Sequence, residues 1–138
     1  MPSLRILIVA AAAIVAAGAA LADGYPSVPL LSATATITNE PIRYPTTGPA
    51  RVSAQIVTIQ PGASTIVHRH GAPMFAYVMD GEVTVDYGAK GSMTFKKGES
   101  FIEAMQVPHK GINNGAIPVA ILAVSMGAEG TDNVIPEK

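Results

Sequence analysis

The chain reads as an all-β protein, a sandwich or closed barrel built from short strands. Three observations point there. Apolar and polar residues alternate with a period of two in one segment after another from residue 52 onward. Turn-forming Gly, Pro, Asn and Asp break these segments at intervals of roughly eight to twelve residues. No stretch after the first two dozen or so residues sustains the 3.6-residue period of an amphipathic helix.

Residues 52–59 alternate Val52, Ala54 and Ile56 against Ser53 and Gln55, and Pro61-Gly62 ends this first strand. A second strand, 64–70, stops at the turn Gly71-Ala72-Pro73. Residues 74–79 form a continuous apolar strand, and the Asp80-Gly81 after it is a hairpin signal. Val83 and Val85 then alternate with polar neighbours through 82–87. Residues 88–91 read as another hairpin tip, followed by a strand at 92–96 and a turn at Lys97-Gly98-Glu99. Strands at 100–103, 107–112 and 118–126 complete the set. Gly62, Gly81 and Gly98 fall at strand reversals, where positive φ is often required, and are read as turn glycines without chemistry.

The expected organisation has four parts. Residues 1–22 form a signal peptide, with Arg5 in a positive start, an apolar run from 6 to 20, and the small-residue cleavage pattern Ala20-Leu21-Ala22. The apolar run is shorter than the ~18–20 residues a membrane span needs. Residues 23–49, rich in Pro, Ser, Thr and Gly, form an extended arm with a short strand at 34–38. Residues 50–127 form the barrel, and 128–138 a loose tail. The mature chain is one domain, since domains cluster around ~100–150 residues.

This organisation implies a secreted or periplasmic protein with no membrane attachment after cleavage. There is no cysteine, so no disulfide supports the fold. The formal net charge is −1 and no basic stripe exists, which argues against a nucleic-acid partner. Strands exposed in the arm allow a homodimer through strand exchange or sheet extension.

All three histidines fall in two short segments, Val67-His68-Arg69-His70 and Val107-Pro108-His109. On a strand, residues i and i+2 point to the same side, so His68 and His70 aim two imidazoles into one space. A third from a later strand completes a three-imidazole shell for a divalent metal. By the same alternation Arg69 points away, as does Tyr77 relative to Met74.

These segments resemble the two motifs of the cupin superfamily. The first motif is matched by Gly62, five residues, His68-Arg69-His70, Gly71-Ala72-Pro73, Met74, six residues and Gly81. The second is matched by Gly98-Glu99, Pro108-His109 and Asn113, without the usual Pro-x-Gly spacing before the histidine. The resemblance implies a single cupin-type jelly-roll β-barrel holding one divalent transition metal on His68, His70 and His109. It leaves Fe, Cu, Zn and Mn open. It implies no one reaction, because the superfamily includes dioxygenases, isomerases, decarboxylases, storage proteins and sugar-binding regulators.

Met74 stands where the motif has a Glu. A thioether donates no anionic oxygen, so the centre would keep more positive charge and bind hard ions less well. Met74 is either an inward packing residue or a soft fourth ligand that favours copper. Glu103, six residues before His109, is a candidate for proton transfer or an alternative metal carboxylate. Its plainer role is a solvated or salt-bridged strand residue. Met105 packs at the core or rim beside His109, and Asn113 bonds locally at a strand end.

The function expected is an oxygenase-like reaction on a small organic molecule, as in a metal-dependent dioxygenase. The alternative is a non-catalytic barrel that sequesters metal or binds a small ligand.

Overall fold

The computed structural model describes residues 24–138, so the leader expected at 1–22 lies outside the described residues. The strands fall where turn residues bound them. They are β1 (Ala50–Ile59), β2 (His68–Arg69), β3 (Met74–Asp80), β4 (Glu82–Asp86), β5 (Ser92–Lys96), β6 (Ser100–Ile102), β7 (Lys110–Ile112), β8 (Val119–Ala128) and β9 (Ile135–Pro136). Among the described residues the one helical piece is a 3₁₀ turn at Gly88–Lys90, between β4 and β5.

The strands form a four-stranded sheet in the order β1-β8-β3-β6, a three-stranded sheet β5-β4-β7 and a small pair β2-β9. The two larger sheets face each other as a jelly-roll, without one continuous ring of hydrogen bonds. Ala76, Val78, Phe101, Val119 and Ile121 from one meet Val83, Val85 and Phe95 from the other in a single apolar core. Phe95 stacks on Phe101 across the gap, with ring centroids 3.7 Å apart.

Asp80-Gly81 does not close a hairpin. β3 is already paired on both edges, with β6 and β8, and β4 likewise with β5 and β7. The dipeptide instead turns the chain from one sheet to the other. Gly81 has φ 75°, and a Cβ there would come within 2.9 Å of the Pro118 carbonyl oxygen. The tight passage past the start of β8 therefore selects glycine.

The alternation in β1 is present with its sense inverted. Val57 and Ile59 face the interior and Gln55, itself exposed, lies at the cavity rim, while Val52 and Ile56 are 69% and 61% exposed. β1 is also an edge strand, so its outer apolar side and one row of backbone groups have no partner strand among the described residues.

Parts of both flanking segments pack on the jelly-roll, while 24–34 stays exposed. In the arm, 34–42 folds into a small reversal rather than a continuous strand, bridging Ala35 to Pro41. Ile37 donates its N–H to the Ile102 carbonyl at 2.8 Å. The segment expected to be a loose tail is ordered. β9 pairs with β2, Arg69 binds Glu137, and the Arg51 guanidinium reaches the Thr131 carbonyl at 2.7 Å. Gly71 permits this: a Cβ there would lie 2.3 Å from the Asp132 carbonyl oxygen.

Candidate metal centre

His68 and His109 are direct cross-strand neighbours. His68 donates its N–H to the His109 carbonyl at 2.9 Å, and His109 returns the bond at 3.0 Å. Two residues on, the His70 N–H donates to the Met105 carbonyl at 3.0 Å, which draws the third ring to the same side. The ring centroids lie 4.6 Å (His68–His109), 4.9 Å (His68–His70) and 5.2 Å (His70–His109) apart. One nitrogen from each ring falls within 4.8 Å of the others. The group has the geometry to hold a metal ion.

Each ring is oriented in the same way. Nδ1 of His68, His70 and His109 lies 2.8 Å from the carbonyl oxygen of Ile66, Asn133 and Val107 respectively. A carbonyl only accepts, so each Nδ1 carries the hydrogen and each Nε2 presents a lone pair. The Nε2 atoms of His70 and His109 are buried and have no hydrogen-bond partner among the described residues. Buried acceptors of this kind cost stability unless something satisfies them. A divalent cation fits the requirement, and backbone carbonyls behind the rings are the outer support that metal-binding histidines use.

Burial lowers the pKa of all three rings, that of His70 to about 4, and the hydrogen bonds behind them offset this only in part. The rings are therefore neutral at physiological pH, the form a metal requires.

Glu103 is not a solvated strand residue. It is 5% exposed. Its Oε1 accepts the Tyr87 hydroxyl at 2.7 Å and the Ala104 N–H at 2.8 Å. Its Oε2 faces His109 Nε2 at 3.8 Å. That distance is too long for a hydrogen bond, and a neutral ring gives no ion pair. Burial pushes the Glu103 carboxyl up to about 7, against the lowering pull of its hydrogen bonds with Tyr87 and Ala104. Burial and the neighbouring carboxylate also raise the Tyr87 phenol well above its ordinary value, so it stays a hydrogen-bond donor.

The rings and Glu103 open onto a cavity of about 210 Å³ between the sheets. Met74, Val57, Val85, Phe101, Ile121 and Val134 give it a mainly apolar wall, and among the described residues no Lys or Arg lines it. Tyr77 and Arg69 lie outside it, as alternation requires. Met105 is buried but faces the arm beside Thr38 and Glu40 rather than this cavity. Asn113, fully buried, joins the Ile59 and Ile117 carbonyls at 2.8 Å each and serves the fold.

Four contributors carry no signal in the sequence. Tyr87 sits at an alternating position that looks like any other. The Asn133 carbonyl and Val134 come from the supposed tail. Glu40, in the arm, accepts the Gln106 N–H at 2.7 Å and the Met105 N–H at 3.0 Å, fixing the loop that leads to His109.

Comparison with known proteins identifies the family and the fold. The cupin domain family matches residues 55–125, which is just over half of the chain, and the protein belongs to that family. No curated protein sequence matches it. Solved structures share the fold. The polyketide cyclase RemF from Streptomyces resistomycificus is 19% identical with a TM-score of 0.55, covering 64% of this chain and 61% of its own. The oxalate decarboxylase of Lactobacillus farciminis, in a formate complex, is 26% identical with a TM-score of 0.52, covering 62% of this chain and 26% of its own. The oxalate decarboxylase of Bacillus subtilis, which has Mn(II) centres, is 20% identical with a TM-score of 0.51, covering 62% and 23%. The chain thus spans about three fifths of the cyclase and about a quarter of each decarboxylase.

Proposed function

We propose that this protein is a metal-dependent enzyme of oxygenase type, acting on a small organic molecule within the jelly-roll. The observation that carries the reading is the pair of buried Nε2 atoms, on His70 and His109, that converge with His68 and lack hydrogen-bond partners among the described residues. His68, His70 and His109 would hold one divalent transition metal. Such an ion would supply Lewis acidity and orient an anionic substrate.

The chain's own residues set the rest. The apolar wall receives the body of the substrate and excludes water. With no Lys or Arg among the described residues of its lining, the cavity wall presents no second cation there for a phosphate or a dicarboxylate. This favours enolate-forming or catecholic compounds with one anionic end. Glu103 and Tyr87 are the proton-carrying groups nearest the rings.

The test is oxygen uptake by the Fe-, Mn- and Cu-loaded protein across a panel of such compounds. Uptake with product formation is expected. Tight metal binding with no uptake for any metal would sink the oxygenase reading and favour sequestration. Export through a cleaved leader at 1–22 belongs to the same proposal, with N-terminal sequencing of the secreted form as its check. So does a homodimer formed along the free edge of β1, which a solution mass decides.

A further inference from the structure

We propose that Glu103 is the carboxylate ligand of the metal centre, supplied from the end of β6 in place of the motif glutamate that Met74 replaces. The inference deepens the reading of the three imidazoles as a metal centre and rests on it.

The register of the large sheet is the first observation. Phe75 pairs with Ile102, and the Glu103 N–H donates to the Met74 carbonyl at 2.9 Å. Positions 74 and 103 are therefore neighbours across adjacent strands, and both side chains line the cavity beside the histidines. A carboxylate lost from β3 and gained at the facing position reaches the same space.

The second observation is how the carboxylate is held. Tyr87 and Ala104 both bond Oε1, which fixes the group and leaves Oε2 toward the rings. Across 3.8 Å from Oε2 stands His109 Nε2, whose hydrogen is committed to the other ring nitrogen. Two acceptor atoms facing each other in a buried site repel unless a cation or a proton lies between them. Neighbouring ligand atoms on one ion, at bonds of ~2.1 Å, lie ~3.0–3.4 Å apart. A contraction of a few tenths of an ångström would place both atoms on a shared metal.

The consequence reverses the reading from Met74 alone. The centre would have three imidazoles and one anionic oxygen, which suits Mn, Fe or Zn and gives copper no sulfur ligand. Met74 becomes part of the apolar wall.

The experiment titrates the metal-free full chain with Mn²⁺ and Zn²⁺ against a competing chelator. It also records the visible d–d spectrum of the Co²⁺-loaded protein. Glu103→Gln and Glu103→Ala are compared with Met74→Leu and His109→Ala, each checked for folding by its melting curve. Loss of Glu103 should weaken Mn²⁺ binding by about 100-fold, the upper range for groups that orient a metal site, and shift the Co²⁺ bands. Met74→Leu should leave affinity within about threefold and the bands unmoved. If the wild type binds metal and both Glu103 variants match it in affinity and spectrum, the Glu103 assignment is overturned while the three-histidine centre stands. If neither the wild type nor any variant binds metal, the underlying reading fails with it. Should Glu103→Ala not fold, Glu103→Gln, nearly identical in shape, decides the matter.

Discussion

At the scale of single residues, the centre depends on which atoms are spoken for. Three Nδ1–H groups turned to backbone carbonyls leave three lone pairs on the cavity side. Spacing in the sequence placed the rings together, but their orientation comes from carbonyls that no motif names. Glu40 illustrates the same dependence. Burial alone would raise its pKa, yet hydrogen bonds from Thr38, the backbone of Gln106 and Met105, and Thr36 hold it below the ordinary carboxylate value. Glu40→Ala would leave the Met105 and Gln106 N–H groups without their acceptor. The expected loss is about 1–3 kcal/mol, read from urea unfolding of the metal-free protein. A variant as stable as the parent would show that this loop does not depend on the arm.

At the scale of elements, the decisive piece is the chain from Glu129 to Glu137 that returns over β2. It supplies the carbonyl behind His70, a cavity wall at Val134 and a partner strand for His68–Arg69. Its polar, Gly-containing sequence resembles a tail because β9 is only two residues long, too short for any alternation to register. Gly71→Ala would drive a methyl group into the Asp132 carbonyl, for which the structure leaves 2.3 Å. The expected cost is about 1–3 kcal/mol, with metal affinity about tenfold lower as His70 loses its support. Amide exchange at Glu137, whose N–H donates to the Val67 carbonyl, reads the displacement directly. Unchanged exchange would show that the return segment is not seated through Gly71.

At the scale of the whole molecule, the site makes stability depend on pH. His70 folds with a pKa near 4 against an ordinary 6.5, and His68 and His109 are lowered too. The unfolded chain therefore binds more protons, so this contribution is present above pH 6.5 and is lost as pH falls toward about 4. Glu103 acts in the opposite sense. Its folded pKa of about 7 lies above the ordinary 4.5, so its contribution is full below 4.5 and is lost as pH rises through about 7. Three histidines outweigh one carboxyl. The melting temperature of the metal-free protein should fall between pH 6.5 and 4, and fall more steeply in Glu103→Gln. A melting temperature flat across that range would contradict the burial assigned to the rings.

The sequence by itself determined the longer strands, the sites of the main turns and the three imidazoles, because a period of two and the chemistry of Gly, Pro and Asp act over a few residues; the expected strand at 64–70 shrinks to His68–Arg69, and β9 was not foreseen. Its motif spacing also led to the right family. Tertiary structure decided what local pattern leaves open: that Asp80-Gly81 crosses between sheets, that β1 turns Val52 and Ile56 outward, and that the last residues close over His70. It also decided that Glu103 lies buried beside His109. Those outcomes depend on which edges are already paired and which surfaces meet across the core, and both are set by residues far apart in the chain.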